Sequence, residues 1–331
     1  MNNLYLGIDL GGTKMLAALI DEQGRIVAKI QEPTFADRGA DDVIRRLIVI
    51  SDALIADESV RAGAGSITIR GIGVAVAGVL EPDPGIISLA TNLGWHNVQL
   101  GPILEKWFHC PVLILNDANA AAFGEWMAGE RPDIQDMIYI TVSTGIGAGI
   151  ISGGRLIQGT THSAAEFGHI TIDRNGPLCA CGNRGCVEMY TAGHSIARRA
   201  WVAIQAGEPE AAAIAALNGV EPERVTAEHV AAAAKAGNDF AIRLLADAGE
   251  ALGCGIVTFA HLLNPALIVI GGSVSQSGAL LLDPMLAAIR RYGISKVVGS
   301  ITFASSALGG AAGVIGAALW ARQQLTLKQT L

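Results

Sequence analysis

One stretch of the sequence combines a histidine with three cysteines inside eighteen positions. These residues are His169, Cys179, Cys181 and Cys186, and glycines near the cysteines supply turns that let the thiolates converge. Four nitrogen and sulfur ligands without a vacant position are typical of a closed tetrahedral zinc site, which is structural and not catalytic. A zinc-dependent hydrolase is excluded as well, because four protein ligands leave no open coordination position for water. Buried thiols beside a core histidine are the alternative, which three cysteines in one glycine-rich loop disfavour.

Two glutamates, Glu166 and Glu188, bracket this cluster. A metal ion there would fix a loop that carries two carboxylates. Carboxylates that accept hydrogen bonds from vicinal hydroxyls are what sugar recognition requires. Each glutamate could instead be a solvated surface charge, so this pair alone leaves both interpretations open.

Three glycine-rich turns at strand ends could bind phosphate groups. They are Asp9-Leu-Gly11-Gly12-Thr13-Lys14, Ser143-Thr144-Gly145-Ile-Gly147 and Gly271-Gly272-Ser273. Glycines let backbone N–H groups approach phosphate oxygens, Thr13 can donate a hydrogen bond, and Asp9 could hold Mg²⁺ through water. The first turn is not a Walker loop, because no helix follows it and the GxxxxGK[ST] spacing is absent. Each turn alone could equally be an ordinary hairpin.

The dipeptide Asn116-Asp117 follows a buried apolar segment and precedes a predicted helix. Side chains at the carboxyl ends of strands in such sheets face the ligand crevice. Asp117 could therefore accept a proton from a substrate hydroxyl during phosphoryl transfer, and Asn116 could hold a neighbouring hydroxyl. The alternative is that Asp117 only caps the helix.

The hydrophobic pattern predicts an α/β protein whose strands end at these residues. An antiparallel meander is predicted over Leu4–Ile8, Met15–Ile20 and Arg25–Ile30. Further buried strands are predicted over Ile72–Val76, Val112–Leu115, Met137–Val142 and Leu267–Ile270. Helices are predicted over Asp41–Ile55, from Ala118 onward and over Ala311–Gln323, with Thr226 as the N-cap of another. A strand–glycine turn–strand unit occurs at Leu4–Ile20 and again at Met137–Ile151, as two similar halves facing a cleft would produce.

Composition narrows the class of protein. The chain has 331 residues, of which 51% are hydrophobic, so it can form large cores and is not mainly disordered. Its 23 basic and 30 acidic residues give a net charge of −7, which argues against a nucleic-acid partner. The sequence has neither an apolar run of about 18 residues nor a signal-type start, so we expect a cytoplasmic protein without a membrane partner.

Taken in order, these motifs resemble the ROK family of bacterial sugar kinases and repressors. The motifs are Asp9-x-Gly-Gly-Thr-Lys14, Asn116-Asp117, Ser143-Thr-Gly-Ile-Gly147, Glu166-x-Gly-His169 and Cys179-x-Cys-Gly-x-x-Gly-Cys186-x-Glu188. The resemblance implies the α/β fold of actin-like ATPases and hexokinases, with two domains and an active site in the cleft between them. We expect a smaller N-terminal domain over 1–122, to which a closing helix at 312–325 returns, and a larger domain over 123–311 that carries the zinc loop.

The resemblance also implies roles for individual residues. The reaction would be ATP-dependent phosphorylation of a hexose hydroxyl, supported by Mg²⁺, with Asp117 as the general base. The implied sugar ligands are Gly78, Asn92, Asn116, Asp117, Glu166, His169 and Glu188. The implied nucleotide ligands are Asp9, Gly11, Gly12, Thr13, Lys14, Thr144, Gly145, Gly271 and Gly272. His169 would give one ring nitrogen to the structural zinc and the other to the sugar.

Within the family the resemblance favours glucose, with glucose 6-phosphate as the product. The loop Thr91-Asn-Leu-Gly-Trp95 looks like that of the glucokinase subgroup. A kinase for N-acetylmannosamine, fructose or allose is the alternative, and polyphosphate stays open as a phosphoryl donor. A sugar-sensing regulator without turnover is disfavoured, because Asp117 is intact and no helix-turn-helix segment fits before the first turn. The implied assembly is a homodimer or a dimer of dimers.

Overall fold

The meander predicted over Leu4–Ile30 is the start of a five-stranded sheet. The computed structural model describes residues 2–57, 67–81, 85–129 and 133–329. The strands of this sheet are β1 Asn2–Leu10, β2 Lys14–Ile20, β3 Ile26–Pro33, β4 Ile67–Val76 and β8 Val112–Asn116, in the order β3-β2-β1-β4-β8. β1, β2 and β3 are antiparallel, whereas β4 and β8 run parallel to β1 and to each other.

The register of the parallel strands brings three strand ends level. Leu10 of β1 pairs with Val76 of β4, and Val76 pairs in turn with Asn116 of β8. Parallel strands end at the same edge of a sheet, so Asp9 and the Asn116-Asp117 pair come to one edge although they are far apart in sequence.

A small antiparallel sheet and a helix lie between β4 and β8 in the chain. The sheet contains β5 Val79–Glu81, β6 Ile86–Ala90 and β7 Trp95–Val98, and α2 Leu100–Phe108 follows it. The sequence patterns did not predict the three strands, because strands of three to five residues are too short to establish an alternating pattern.

Three of the described helices form most of the contacts with the first sheet and with one another. They are α1 Ala40–Ala56, α3 Asp117–Ala128 and α11 Ala312–Gln329. The predicted apolar face of α1 is buried, and α11 packs on β1, β4 and α3 at backbone distance. A β-carbon on Gly73 would lie 1.8 Å from the carbonyl oxygen of Ala317, and one on Gly316 would lie 1.7 Å from that of Ala120. Glycine at both positions is therefore required for this close packing.

The second sheet has five strands in the order β11-β10-β9-β12-β13. Its strands are β9 Met137–Val142, β10 Ile146–Ser152, β11 Arg155–Leu156, β12 Leu267–Gly271 and β13 Thr302–Ser305. β9, β12 and β13 are parallel, and β12 is buried along its whole length. The predicted strands Met137–Val142 and Leu267–Ile270 are confirmed.

Helices make up most of the chain between β11 and β13. They are α4 Glu188–Thr191, α5 Gly193–Gln205, α6 Pro209–Asn218, α7 Ala227–Lys235, α8 Asp239–Leu263, α9 Ala279–Tyr292 and α10 Ser295–Val298. Thr226 caps α7, because its hydroxyl accepts a hydrogen bond from the His229 N–H while its own N–H donates to His229 Nδ1. This predicted N-cap is confirmed.

The chain divides into two units. The first comprises Met1–Gln135, Gly149–Ala165 and Ser306–Leu331, and the second comprises Asp136–Ala148 and Glu166–Ser305. The first break lies after Gln135, whereas the predicted division at residue 122 falls inside α3, a helix that runs without interruption to Ala128. Among the described residues, the structure has no helix long and apolar enough to cross a membrane.

Candidate active site

Two aspartates lie at the carboxyl edge of the first sheet. Asp9 lies near the end of β1, and Asp117 is the first residue of α3. The pKa of Asp9 is raised to about 7, first by burial and then by the negative charge of Asp117, while Lys14 opposes the shift. Burial also raises the pKa of Asp117, against the hydrogen bond that its carboxylate accepts from the Ala118 N–H. A carboxylate with a raised pKa is a better proton acceptor near neutral pH than an ordinary aspartate.

Asn116, and not Asp117, is the N-cap of α3. Its side-chain oxygen accepts hydrogen bonds from the backbone N–H groups of Ala118, at 3.0 Å, and Asn119, at 3.2 Å. Asn116 therefore holds the N-cap position that the alternative gave to Asp117, while the Asp117 carboxylate accepts a further hydrogen bond from the Ala118 N–H. The cap fixes the oxygen of Asn116 toward the helix, so its amide nitrogen is the end that can donate to a ligand hydroxyl.

The first glycine turn is held by its neighbours and lies against the Asn92 backbone. The N–H of Gly11 donates to the Lys14 carbonyl at 3.0 Å, and the Thr34 hydroxyl donates to the Gly11 carbonyl at 2.6 Å. A β-carbon on Gly12 would lie 2.5 Å from the carbonyl oxygen of Asn92. The predicted nucleotide turn and the predicted sugar ligand Asn92 are thus in direct backbone contact, and both Thr13 and Lys14 are exposed beside them.

The other predicted sugar residues of the first unit differ in what they offer a ligand. Asn92 is exposed, on a 3₁₀ turn over Thr91–Leu93. Gly78 has a φ of +152°, and a β-carbon there would lie 2.3 Å from the Leu89 carbonyl, so its glycine is required by packing against β6. Trp95 is 2% exposed and belongs to the core. Its effect on sugar preference would therefore act through the loop it supports and not through contact.

The second and third glycine turns meet in the second unit. The Ser143 hydroxyl lies 3.2 Å from the Ser273 hydroxyl, which joins the turn after β9 to the turn after β12. The Gly193 N–H donates to the Ser143 carbonyl at 2.8 Å, and Nδ1 of His194 lies 2.7 Å from the Thr144 carbonyl. These contacts fix the backbone of the Thr144–Gly145 turn from one side.

A cavity of about 500 Å³ opens at these two turns. The described residues that line it include Ser143, Thr144, His194, Thr226, Glu228, Lys235, Ser273 and Gln276. The size is that of a small-molecule site, and the wall combines hydroxyl, amide and charged groups with alanine methyls. His194, Glu228, Lys235 and Gln276 were not predicted, because they lie on helical segments with no motif to distinguish them. Of the predicted nucleotide residues, Thr144 lines this cavity, and Gly271 and Gly272 precede its Ser273.

The four predicted metal ligands converge in the second unit. The ligand atoms of His169, Cys179, Cys181 and Cys186 all lie within 4.8 Å of one another. Cys181 Sγ lies 3.6 Å from Cys186 Sγ, and Cys179 Sγ lies 3.7 Å from His169 Nδ1. A tetrahedral zinc ion with Zn–S bonds of about 2.3 Å and a Zn–N bond of about 2.1 Å would separate these atoms by roughly 3.6 to 3.8 Å. The donor set and its spacing therefore fit zinc.

Glycine turns and backbone hydrogen bonds shape the loop that carries these ligands. Gly185 has a φ of +63°, and a β-carbon on it would lie 1.7 Å from the Asp173 carbonyl. The Cys179 N–H donates to the Asn183 carbonyl, and Thr171 pairs with Cys186 in a short antiparallel bridge. Most of the geometry is thus local, set within the same stretch of chain that holds the thiols.

The two glutamates beside the cluster have different surroundings. Glu188 is half-buried, and its Oε2 accepts a hydrogen bond from the Ile146 N–H at 3.2 Å, next to the second glycine turn. Glu166 is 61% exposed, with Oε2 3.9 Å from Nε2 of His169. Nδ1 of His169 therefore faces the thiols while Nε2 faces Glu166. The interpretation of Glu188 as a solvated surface charge is wrong.

A solved structure shares this fold over nearly its whole length. The ROK family glucokinase from Streptomyces griseus, in complex with glucose and AMPPNP, has a TM-score of 0.80 and 33% sequence identity, and the match covers 97% of this chain and 99% of that one. The fold is therefore the mixed α/β fold of actin-like ATPases and hexokinases, as predicted, and the protein is a sugar kinase.

The chain belongs to the ROK family, whose sequence model matches residues 5–324. The glucokinase of Streptomyces coelicolor is 34% identical over 324 residues, which cover 97% of this chain and 98% of that protein. The N-acetylmannosamine kinase of Citrobacter koseri is 33% identical over 319 residues, which cover 96% and 98%. The resemblance seen in the motifs is confirmed: this is a glucokinase-like ROK sugar kinase that phosphorylates a hexose.

Proposed function

We propose that this protein transfers the γ-phosphoryl group of ATP to the 6-hydroxyl of glucose, with Asp117 as the general base. The observation that carries the proposal is the raised pKa of Asp117 at the carboxyl end of β8, beside a second carboxylate, Asp9. The complex of the Streptomyces griseus enzyme with glucose and AMPPNP supports both substrates. The cytoplasmic setting expected from the sequence stays a prediction.

The chemistry assigned to Asp117 is removal of one proton. The carboxylate takes the proton of the 6-hydroxyl as that oxygen forms a bond to the γ-phosphorus. The bond between the γ-phosphorus and the β–γ bridging oxygen breaks, and ADP leaves with the bond's electron pair. Most of the rate in such reactions comes from positioning and charge stabilisation, so the donors around the phosphates matter as much as the base.

Sugar recognition is assigned to groups that can exchange hydrogen bonds with hydroxyls. The amide of Asn116 can donate, and the carboxylates of Glu166 and Glu188 can accept. His169 would turn Nε2 to the sugar, because its Nδ1 faces the thiols. Asn92 would complete the set from its exposed turn, with Gly78 providing the backbone space beside it.

Phosphate recognition is assigned to the three glycine turns. Gly11 to Lys14 would bind phosphate oxygens with backbone N–H groups, the Thr13 hydroxyl and the Lys14 ammonium. In the second unit, Thr144 and Gly145 would do the same, and Gly271 and Gly272 would bound the nucleoside side of the 500 Å³ cavity. Asp9 fits a role in holding Mg²⁺ through water, since its carboxylate lies beside the first turn. Bound Mg²⁺ would neutralise charge on the transferring phosphates.

The His–Cys cluster is assigned a structural zinc ion. Zinc would cross-link the loop between His169 and Cys186 and so present Glu166, His169 and Glu188 to the sugar. Four protein ligands would leave no coordination position for water, so the zinc ion would contribute to the shape and stability of the loop and not to catalysis. Dimerisation, which the family resemblance implies, stays a prediction.

A coupled assay of ADP release against a panel of hexoses tests the proposal. Glucose should give the largest kcat/KM, and glucose 6-phosphate should be the product. A preference for N-acetylmannosamine would replace the substrate but keep the mechanism, a possibility that the Citrobacter koseri relative keeps open. Sugar binding without turnover with either ATP or polyphosphate would contradict the proposal and indicate a regulator.

A further inference from the structure

Glu125 is a buried carboxylate to which the sequence assigned no task. It lies on α3, the helix that begins with Asp117, and its side chain is fully buried. Its oxygens accept three hydrogen bonds from one short segment: from the Ser306 hydroxyl at 2.5 Å, the Ala307 N–H at 3.1 Å and the Leu308 N–H at 2.9 Å. All three bonds join residues more than 180 positions apart in the sequence.

The segment that Glu125 binds leads directly into α11. Ser306 is the first residue of the last stretch of chain in the first unit, and a 3₁₀ turn over Gly309–Ala311 connects Leu308 to α11. The Ser306 hydroxyl also accepts a hydrogen bond from the Gly309 N–H at 2.9 Å. Glu125 therefore fixes the approach of the chain to the first turn of α11.

The first turn of α11 lies against Asp9. A β-carbon on Gly313 would lie 2.9 Å from Oδ2 of Asp9, so the α11 backbone is in contact with that carboxylate. Next to Glu125, a β-carbon on Gly124 would lie 2.5 Å from the carbonyl oxygen of Ala312. α3 therefore contacts the start of α11 at two points: the backbone at Gly124 packs against Ala312, and the carboxylate of Glu125 binds the segment that leads into α11.

We propose that Glu125 is a positioning residue for phosphoryl transfer, which anchors Ser306–Leu308 and thereby holds the first turn of α11 against the carboxylate of Asp9. α3 begins at Asp117, and the first turn of α11 lies against Asp9, so the anchor keeps the two carboxylates in a fixed relation. This proposal rests on the proposed function, in which Asp117 and the turn after Asp9 do the chemistry.

Packing alone does not explain a carboxylate at this position. A buried charge costs free energy unless every hydrogen bond it needs is made, and an apolar side chain of similar volume usually stabilises a core as well or better. The three donors that converge on Glu125 all belong to the irregular segment that joins β13 to the 3₁₀ turn before α11. A small displacement of groups around a reacting phosphate lowers the rate by up to about 100-fold.

The test compares Glu125→Gln, Ser306→Ala and Ser306→Thr in the full-length protein. Glu125→Gln keeps the shape but replaces one acceptor oxygen with an amide that faces a donor. It should lower kcat for glucose by roughly 10- to 100-fold and weaken ATP binding, with the glucose KM changed by less than about two-fold. Ser306→Ala should act in the same direction but less, and Ser306→Thr, which keeps the hydroxyl, should restore activity. The double variant should be no worse than Glu125→Gln.

Ser51→Ala is the matched control, because it also removes a buried hydroxyl, one that donates to the Leu47 carbonyl within α1. It should lower Tm without changing kcat. A Glu125→Gln protein that loses Tm but keeps kcat and ATP affinity would overturn the proposal, as would fully additive effects of the two changes. If Glu125→Gln fails to fold, the comparison of kcat between Ser306→Ala and Ser306→Thr decides: equal kcat values in the two variants would overturn the proposal. A wild type inactive on every hexose would contradict the proposed function, and the ATP affinities would still decide the role of Glu125.

Discussion

The carboxylate edge of the first unit, formed by Asp9, Asn116 and Asp117, and the metal loop of the second unit, residues 166–188, are built in opposite ways. The edge exists because parallel strands far apart in sequence end level with one another. The loop takes its shape from turns and ligands within one short stretch of chain. One region therefore depends on the packing of the whole unit, whereas the other depends on local turns and on the zinc ion proposed for its four ligands.

This difference predicts that the two regions fail separately. Replacing the base of the edge should remove catalysis and largely spare sugar binding, because an amide at position 117 can still exchange hydrogen bonds with a sugar hydroxyl. Damage to the loop should loosen sugar binding first, because the ligand His169 is also assigned to the sugar. The variants below are ordered from the largest expected effect to the smallest.

Asp117→Asn should lower kcat by about 100-fold or more, the usual size of a general-base contribution, while glucose still binds. The change keeps the shape of the side chain and removes only its capacity to accept the proton. The coupled assay measures the loss of turnover, and calorimetry separately measures whether glucose still binds. Activity within a few-fold of wild type would remove Asp117 as the base.

Cys181→Ala should raise the glucose KM by roughly 10- to 100-fold and lower Tm, with a smaller effect on ATP. Three ligands hold zinc less well than four, so the loop with Glu166 and Glu188 should become less ordered. Cys254→Ala, a cysteine on α8 outside the cluster, is the control and should change neither value.

Metal analysis checks the same region without mutation. Protein purified without added zinc should contain about one zinc ion per chain, the capacity of one four-ligand set. A protein free of zinc would contradict the metal site, and full sugar affinity after the metal is chelated would contradict its role in shaping the sugar pocket.

Gly12→Ala should raise the KM of ATP and the KM of glucose by about ten-fold each. A ten-fold change corresponds to about 1.4 kcal/mol of binding free energy, a modest cost for a displaced backbone. The expectation differs from one based on the motif alone, because the new methyl group would meet the Asn92 carbonyl. Gly11→Ala is the comparison: its methyl group would approach only Lys14 of its own turn, so the ATP KM alone should rise. If Gly12→Ala, like Gly11→Ala, raised the KM of ATP alone, the result would argue against contact between the turn and Asn92.

Asp9→Asn should stabilise the protein in a pH-dependent manner. The folded state raises the pKa of Asp9 from 3.8 to about 7, so the folded protein holds this proton more tightly than the unfolded chain does. The resulting penalty on folding is absent below pH 4, grows as the pH rises, and is complete above pH 7. The variant should therefore gain a few degrees in Tm at pH 8 and almost none at pH 4. Asp37→Asn, an exposed site, should show no such trend.

Sequence could predict the metal loop almost completely, and the reason is local. His169 and the three cysteines carry their own chemistry, and glycines such as Gly185 mark the turns that bring them together. Long strands such as β9 and the capped start of α7 were likewise predictable from short-range pattern. The family resemblance added the roles of residues such as Glu166, whose chemistry is not visible in its own neighbourhood.

Long-range features could not be predicted, because no short pattern encodes them. The anchor between Glu125 and Ser306 joins two polar residues that each look ordinary in sequence. The contact of His194 with the Thr144 carbonyl depends on the start of α5 lying beside the second turn. Trp95 looked like a specificity residue in its motif but is part of the core. The raised pKa of Asp117 follows from burial, which the sequence indicates only indirectly.

The pH dependence of glucose phosphorylation by the wild-type protein tests the central claim, that a buried Asp117 at the carboxylate edge accepts the proton. Burial raises the pKa of Asp117, and the neighbouring Asp9 has a pKa of about 7. Kcat/KM should therefore fall on the acid side at a higher pH than the one at which an ordinary aspartate titrates. The protonated edge should still bind glucose in that range. A rate that stays constant down to pH 4 to 5, with the protein folded and its zinc content unchanged, would contradict the account.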